Sequence, residues 1–128
     1  MNSSPYDILI VEDNPTIRGV MQMGFELEGF SVRVACDGLD ALNHLEGDSL
    51  PQLILIDLLM PKINGFEFLE RIKKDPTLPA SKIPVIVISA VANASREKIP
   101  HAHAVFSKPV DFELLFQAAE KHCHKTLL

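Results

Sequence analysis

The sequence predicts an α/β protein in which one parallel, five-stranded sheet is covered by helices on both faces. Continuous apolar runs at 8–11, 53–56 and 85–88 are typical of strands that are buried on both faces. Segments with helical spacing of apolar residues lie between these runs, so strands and helices alternate. The runs also end in polar residues, and parallel strands bring their carboxyl ends to one edge of the sheet. The sequence therefore predicts a polar site at that edge.

The first strand and the first helix have clear boundaries. Residues 1–6 form a short lead-in to the apolar run Ile8–Val11. Asn14 can cap a helix, and Pro15 suits its first turn, where no amide N–H is needed. Gly29 marks the end of this helix. Its apolar residues fall at helical spacing: Ile17, Val20, Met21 and Leu27.

The second strand differs from the others in its pattern. Phe30–Ala35 alternates between apolar and other residues, which predicts a strand with one face less buried. Gly38–Leu45 then predicts a short helix that ends at Gly47. Its inward residues share helical spacing: Ala41, Leu42 and Leu45.

The third strand, Leu53–Ile56, meets its loop at Asp57. An unpaired carboxylate inside a sheet is costly, so we expect Asp57 at the carboxyl end of the strand. Pro61 and Gly65 shape the loop, and helical spacing follows until Asp75–Pro76 breaks it. The apolar residues of this helix are Phe66, Leu69 and Ile72.

The last third of the chain supplies two strands and the final helix. Val85–Ile88 is a buried strand, and Ala104–Phe106 predicts a short fifth strand. Between them we expect a helix that is short, distorted or missing, over 94–98 at most, because Pro100 interrupts the pattern. The final helix begins at about Asp111, with acidic residues in its first turn, as the helix dipole favours.

Acidic, hydroxyl and basic side chains follow four of the predicted strands: Glu12, Asp13, Asp57, Ser89 and Lys108. Three carboxylates at one edge repel one another unless a divalent cation lies among them, and all-oxygen ligation suits Mg²⁺ or Mn²⁺. A metal ion, an ammonium group and a hydroxyl group together fit the three oxygens of a phosphoryl group. The combination predicts that Asp57 is a nucleophile forming an aspartyl phosphate, with Lys108 stabilising the transferring charge.

Length and composition exclude several classes of protein. At 128 residues, the chain is expected to form one domain with its own core. A formal net charge of −5 argues against a nucleic-acid surface. We expect no membrane segment and no signal peptide, because no apolar run is long enough and the N-terminus lacks the pattern. Two cysteines, Cys36 and Cys123, make no disulfide framework, so a cytoplasmic, reduced protein is expected.

Four motifs in this chain resemble the receiver domain of two-component response regulators, the CheY-like family. They are ILIVEDN at 8–14, DLLMP at 57–61 with NG at 64–65, ISA at 88–90, and KP at 108–109. Together these motifs are highly specific, and the resemblance covers nearly all of residues 6–125. It implies one receiver domain over 1–128, with a flavodoxin-like (βα)5 fold, doubly wound, and strand order 2-1-3-4-5.

The resemblance also implies a magnesium site. Asp13 and Asp57 would bind Mg²⁺ directly, and Glu12 would bind it through water. The backbone carbonyl of Leu59 would be a further ligand.

Three residues would handle the phosphoryl group. Asp57 would accept it from a phosphohistidine on a sensor histidine kinase or a histidine phosphotransfer protein. Ser89 would hydrogen-bond the bound group and shift toward it on activation, and Lys108 would pair with its oxygens. The resemblance further implies a cis Lys108–Pro109 peptide, since X–Pro bonds adopt cis most readily.

The predicted function is a stand-alone signalling switch. Few residues follow the last helix, so output is expected through an unknown partner protein or by passing the phosphoryl group onward in a phosphorelay. The chain is not expected to be an enzyme, although it would catalyse its own phosphorylation and dephosphorylation. The first and last helices are the candidate docking surface.

Two departures from the family pattern favour an alternative function, a receiver-like interaction module that phosphorylation does not regulate. The family usually has an aromatic residue three positions before the lysine, where this chain has Val105. Phe106 is one position later, and alternation would point it to the other side of the sheet. The segment between Ser89 and Lys108 is also a few residues shorter than is common.

Three further functions fit the sequence less well. A flavin site needs a phosphate loop rich in Ser, Thr and Gly after the first strand, and the acidic segment 12–15 would repel phosphate. A phosphatase of the haloacid dehalogenase type needs a second aspartate at the position of Leu59. A zinc site formed by His101, His103, His122, His124 and Cys123 is disfavoured, because His122 and His124 do not share a helix face.

Overall fold

The computed structural model describes residues 6–47, 49–60, 62–90, 99 and 101–124. Within these residues, five strands alternate with four α-helices, and a 3₁₀ helix (Pro79–Lys82) precedes the fourth strand. In chain order the elements are β1 (Asp7–Val11), α1 (Pro15–Leu27), β2 (Ser31–Ala35), α2 (Gly38–His44), β3 (Leu53–Asp57), α3 (Gly65–Lys73), β4 (Val85–Ser89), β5 (Ala104–Ser107) and α4 (Phe112–His124).

The five strands form one parallel sheet in the order β2-β1-β3-β4-β5. The direction of strand addition reverses at β1, and β1 and β3 lie side by side at this switch point, where open α/β sheets bind ligands. The predicted doubly wound, flavodoxin-like fold with strand order 2-1-3-4-5 is confirmed.

The three central strands explain the continuous apolar runs of the sequence, because successive side chains enter different cores. Leu9 of β1 and Ile54 of β3 belong to a core that also contains residues of α2 and α3. Ile10 and Leu55, their neighbours in sequence, belong to a core built with α1 and α4. Helices on both faces therefore leave no face of β1, β3 or β4 exposed.

The buried face of α1 differs from the one that its apolar spacing indicates. Met21 and Phe25 are buried, and the ring of Phe25 packs edge-on against the rings of Phe30 and Phe116. Of the four residues named for their helical spacing, only Met21 is buried, and the other three are exposed: Ile17, Val20 and Leu27. The spacing correctly predicted a helix, but the aromatic cluster decides its rotation.

In α3, too, the apolar spacing predicted the helix but not which of its residues are buried. Phe68, Leu69 and Ile72 are buried, whereas Phe66 is exposed. The helix begins with a capping box, in which Asn64 and Glu67 exchange side-chain and backbone hydrogen bonds.

The amino edge of the sheet holds its charged groups in separate local contacts. Lys73, at the end of α3, donates to the backbone oxygens of Ser81 and Ile83 at 2.7 and 2.8 Å, and burial lowers its pKa. Arg33 lies 2.8 Å from Asp7 and also donates to Ser49. These contacts fasten the loops that enter β3 and β4.

The predicted short or distorted helix between β4 and β5 falls on residues 91–98 and 100, which lie outside the described residues. In the part of the chain that the structure describes, no helix combines the length and the apolar character that crossing a membrane requires.

Candidate functional site

The sheet brings four predicted site residues to one edge. Asp57 is the last residue of β3 and pairs in register with Ile88, and Ser89 ends the neighbouring strand β4. Lys108 follows β5, and its backbone N–H donates to the backbone oxygen of Ser89 at 2.8 Å. Glu12 follows β1 on the other side of β3. Parallel pairing thus gathers side chains that are far apart in the sequence.

Three carboxylates meet beside the end of β3. One oxygen each from Glu12, Asp13 and Asp57 lies within 4.8 Å of the others. Glu12 is 3% exposed and Asp57 is 7% exposed, whereas Asp13 faces solvent. Such a group of anions is unfavourable without a compensating positive charge.

Lys108 supplies part of that charge. Its Nζ lies 2.8 Å from Oδ2 of Asp57, and the lysine side chain is 29% exposed. Burial works to lower the pKa of Lys108, but the hydrogen bond and charge of Asp57, with the charges of Glu12 and Asp13, outweigh burial and raise it. The ammonium group is therefore held in its charged form.

The second oxygen of Asp57 has its own donor. The backbone N–H of Leu59 donates to Oδ1 of Asp57 at 3.2 Å. The carboxylate is thus oriented from two sides, by Lys108 at Oδ2 and by the following loop at Oδ1. A carboxylate held in this way is pre-positioned to react.

Glu12 is held close to the start of α1. Its Oε2 accepts a hydrogen bond from the backbone N–H of Asn14 at 3.1 Å, and Arg18 donates to its backbone oxygen at 2.9 Å. Burial and, to a smaller extent, the charge of Asp57 raise the pKa of the Glu12 carboxyl above its usual value.

The donor set at this edge fits the predicted cation. Hard divalent cations prefer carboxylate and carbonyl oxygens, and Mg²⁺ binds through one or two carboxylates and several waters. Glu12, Asp13 and Asp57 offer only oxygen, and Leu59 lies in the loop that follows Asp57. Within the described ranges, this is the one group of acidic, histidine or cysteine residues that could hold a metal ion. The zinc alternative therefore gains no support from the described histidines.

The region around β5 agrees with the sequence in two respects. Val105 packs against the core on the α2 and α3 side of the sheet, and Phe106 packs against the core on the α1 and α4 side. The predicted opposition of these two side chains is confirmed. The Lys108–Pro109 peptide is cis, as predicted.

One pair of residues near the site was missed by the sequence reasoning. Nζ of Lys62, in the loop after β3, lies 3.2 Å from Oδ2 of Asp37, which caps α2. An aspartate directly before a helix is a signal for the cap. No sequence signal predicts the pairing with Lys62, since it depends on how two loops approach each other.

Residues 8–120 match the family described as the response regulator receiver domain. The chain belongs to this family. The family takes part in two-component signalling and accepts phosphoryl groups, and its members generally bind Mg²⁺ in an acidic pocket. Receiver domains interact with sensor kinases and with output partners.

Similar proteins agree with this assignment. The probable methanogenesis regulatory protein FilR2 of Methanothrix harundinacea is 35% identical to this receiver domain over 127 residues, covering 91% of this chain and 81% of that protein. The receiver domain of Francisella response regulator 1452 superposes with a TM-score of 0.82 at 25% identity, over 94% of this chain and 98% of that one. The phosphorylated cyanobacterial phytochrome response regulator RcpA gives a TM-score of 0.72 at 32% identity, over 94% and 91%.

Many relatives are longer than this receiver domain. The chain spans between 24% and 44% of the length of six other curated relatives that it matches.

Proposed function

We propose that this receiver domain accepts a phosphoryl group on Asp57 from a phosphohistidine of a sensor histidine kinase or a histidine phosphotransfer protein. The reaction depends on Mg²⁺ and takes place in the cytoplasm. The chain acts as a switch rather than as an enzyme with a separate substrate, and it catalyses only its own phosphorylation and dephosphorylation. The phosphorylated form binds an output partner or passes the phosphoryl group onward.

One observation carries this proposal. The carboxylate of Asp57 lies at the switch point of the sheet, 2.8 Å from an ammonium group and beside two further carboxylates. A purely structural ion pair needs one carboxylate for one lysine. The two additional carboxylates lower stability unless a cation binds among them, so they are better explained by a cation site.

The chemistry follows from the two contacts of the Asp57 carboxylate. A carboxylate oxygen attacks the phosphorus of the donor, and a P–O bond forms as the P–N bond to the imidazole breaks. The electron pair of that bond returns to the imidazole nitrogen. Lys108 neutralises charge on the transferring group, and bound Mg²⁺ would supply further positive charge to its oxygens. Ser89, which is fully buried at the end of β4, is proposed to donate its hydroxyl to the phosphoryl group after a shift toward it.

The surface beside the site supports docking of a protein partner. A cavity of about 150 Å³ lies next to Glu12 and Lys108, between α1 and the start of α4. Its other lining residues are apolar: Ile17, Met21, Ile88, Val110 and Phe112. A partner that binds there would reach Asp57 without crossing the core. The net charge of −5 disfavours nucleic acid and anionic membranes as partners.

Intact-protein mass spectrometry after incubation with Mg²⁺ and acetyl phosphate tests the proposal. We expect one added phosphoryl group in the unmodified chain and none in Asp57→Asn or without Mg²⁺. Asp75→Asn is the matched control, because Asn keeps the Oδ1 acceptor that the backbone N–H of Thr77 uses. An adduct that persists in Asp57→Asn would contradict the assignment of Asp57. No adduct at all would favour the alternative, an interaction module that phosphorylation does not regulate.

A further inference from the structure

The loop between β3 and α3 is fastened to the turn between β2 and α2. Lys62 of the loop pairs with Asp37 of the turn at 3.2 Å. The next residue, Ile63, is buried against Gly38, where an added Cβ would lie 2.6 Å from the backbone oxygen of Ile63. The close approach requires glycine at position 38.

Lys62 has an unusual backbone conformation. Its φ is +66°, in the left-handed region that non-glycine residues rarely occupy. Its side chain is 61% exposed, whereas that of Asp37 is only 11% exposed. Asp37 also accepts the backbone N–H of Asp40 at 2.8 Å. The buried, doubly used carboxylate is therefore the fixed partner, and Lys62 is held by it.

The fastened loop reaches the reactive carboxylate through backbone contacts. Leu58 donates its N–H to the backbone oxygen of Ile88 at 3.0 Å, and its oxygen accepts the N–H of Gly65 at 2.9 Å. Leu59 lies in the chain between Leu58 and Lys62, and its N–H donates to Oδ1 of Asp57. Leu59 therefore connects the part of the loop that follows β3 to the Asp57 carboxylate.

We propose that Asp37 and Lys62 are positioning residues for the phosphoacceptor. Their ion pair holds the β3–α3 loop so that the Leu59 N–H stays on Oδ1 of Asp57 and the loop backbone stays close to the acidic cluster. The inference rests on the proposed function for its consequence in phosphorylation. The contact between the loop and Asp57 can be measured without it.

Two variants remove the ion pair and preserve the local structure. Asp37→Asn keeps a side-chain oxygen for the Asp40 N–H, because Asn caps helices as well as Asp does. Lys62→Asn removes the ammonium group at a position with positive φ that Asn tolerates without the added freedom of Gly. Lys62→Arg restores the charge and is the conservative rescue. Lys74→Asn, at an exposed position after α3, is the matched control.

The first measurement is amide hydrogen exchange by NMR in the absence of Mg²⁺. We expect the Leu59 amide to exchange about three- to tenfold faster in Asp37→Asn and in Lys62→Asn. This factor lies between the effect of losing an exposed ion pair and the effect of losing a residue that orients a metal ligand. The Leu55 amide, inside β3, keeps its rate, because the opening is local. The double variant resembles either single variant, since both remove one interaction.

The second measurement is the Mg²⁺ dissociation constant by calorimetry, with the rate of phosphorylation by acetyl phosphate. In Asp37→Asn and Lys62→Asn, the dissociation constant should rise and the phosphorylation rate should fall, by a similar factor in each variant. Both quantities should return towards those of the unmodified chain in Lys62→Arg. Unchanged Leu59 exchange, an unchanged dissociation constant, or no recovery in Lys62→Arg would overturn the inference. If the unmodified chain accepts no phosphoryl group, the proposed function fails, and Leu59 exchange still decides the inference.

Discussion

Lys73 and Lys108 are both half-buried lysines, yet they lie in opposite electrostatic surroundings. Lys73, at the amino edge of the sheet, donates to two neutral backbone oxygens, and burial lowers its pKa. Lys108 lies at the carboxyl edge beside three carboxylates, and their effect on its pKa outweighs that of burial, so the pKa is raised. One lysine satisfies the backbone of a loop, and the other partly neutralises a crowded group of anions.

The difference separates stability from function within one sheet. At the amino edge, Lys73 and Arg33 hydrogen-bond to loop residues and so hold those loops against the sheet. At the carboxyl edge, three carboxylates share one lysine, an arrangement that lowers the stability of the metal-free protein. Active sites commonly keep such unfavourable arrangements because the ligand uses them. Removing a carboxylate at the carboxyl edge and removing Lys73 at the amino edge should therefore have opposite effects on stability.

The largest expected effect is on phosphorylation in Lys108→Met. Loss of the ammonium group should slow phosphorylation by acetyl phosphate roughly 100-fold, as loss of a preorganised charge partner does. The free energy of unfolding should also fall, because the Asp57 side chain is only 8% exposed and loses its counter-ion. Mass spectrometry over time measures the first quantity and urea denaturation the second. Lys82→Met, on the exposed 3₁₀ helix, is the control. A rate equal to that of the control would remove Lys108 from the mechanism.

Lys73→Met should lower stability and leave phosphorylation intact. The variant leaves the backbone oxygens of Ser81 and Ile83 without their donor, so the free energy of unfolding should fall by about 1–3 kcal/mol. The phosphorylation rate should stay within twofold of the unmodified chain, roughly the scatter expected for distant sites. Lys74→Met is the neighbouring control, with an exposed side chain. A large loss of phosphorylation in a folded Lys73→Met would break the separation between the edges.

The smallest expected effect is a gain of stability in Asp13→Asn. Removing one of three mutually repelling carboxylates should raise the free energy of unfolding of the metal-free protein by about 0.5 kcal/mol at low salt. In excess Mg²⁺ the order should reverse, because the unmodified chain gains more from binding. Thermal unfolding with and without Mg²⁺ measures both, with Asp75→Asn as the control. An Asp13→Asn variant that is less stable in both conditions would show that the carboxylate is structural.

The sequence predicted the carboxyl edge far better than the amino edge. Continuous apolar runs in the sequence identify the strands that lead to the site. Parallel pairing of these strands then brings together the residues that end or follow them: Asp57, Ser89 and Lys108. The contacts of Lys73 depend on where a 3₁₀ helix places two backbone oxygens, which no residue pattern encodes.

The spacing of apolar residues also did not predict how each helix is rotated against the sheet. The spacing of α3 placed Phe66 with Leu69 and Ile72, and this was wrong for Phe66, because contact with the sheet selects Phe68 for the core instead. The pair between Asp37 and Lys62 was hidden for a similar reason, since it joins two loops that are close only in the folded chain. Local patterns thus identified elements and strand ends, and tertiary packing decided faces and loop contacts.

Backbone NMR during stepwise addition of Mg²⁺ and then beryllofluoride tests the central claim most directly. The proposal that the carboxyl edge holds the cation and the phosphoryl group predicts Mg²⁺ shifts centred on the amides of Asp13, Asp57 and Leu59. Beryllofluoride should extend these shifts to Ser89 and Lys108, while Asp7 and Gln52 at the amino edge stay unchanged. Absence of any Mg²⁺ response at Asp13 and Asp57, or a response centred on the amino edge, would contradict it.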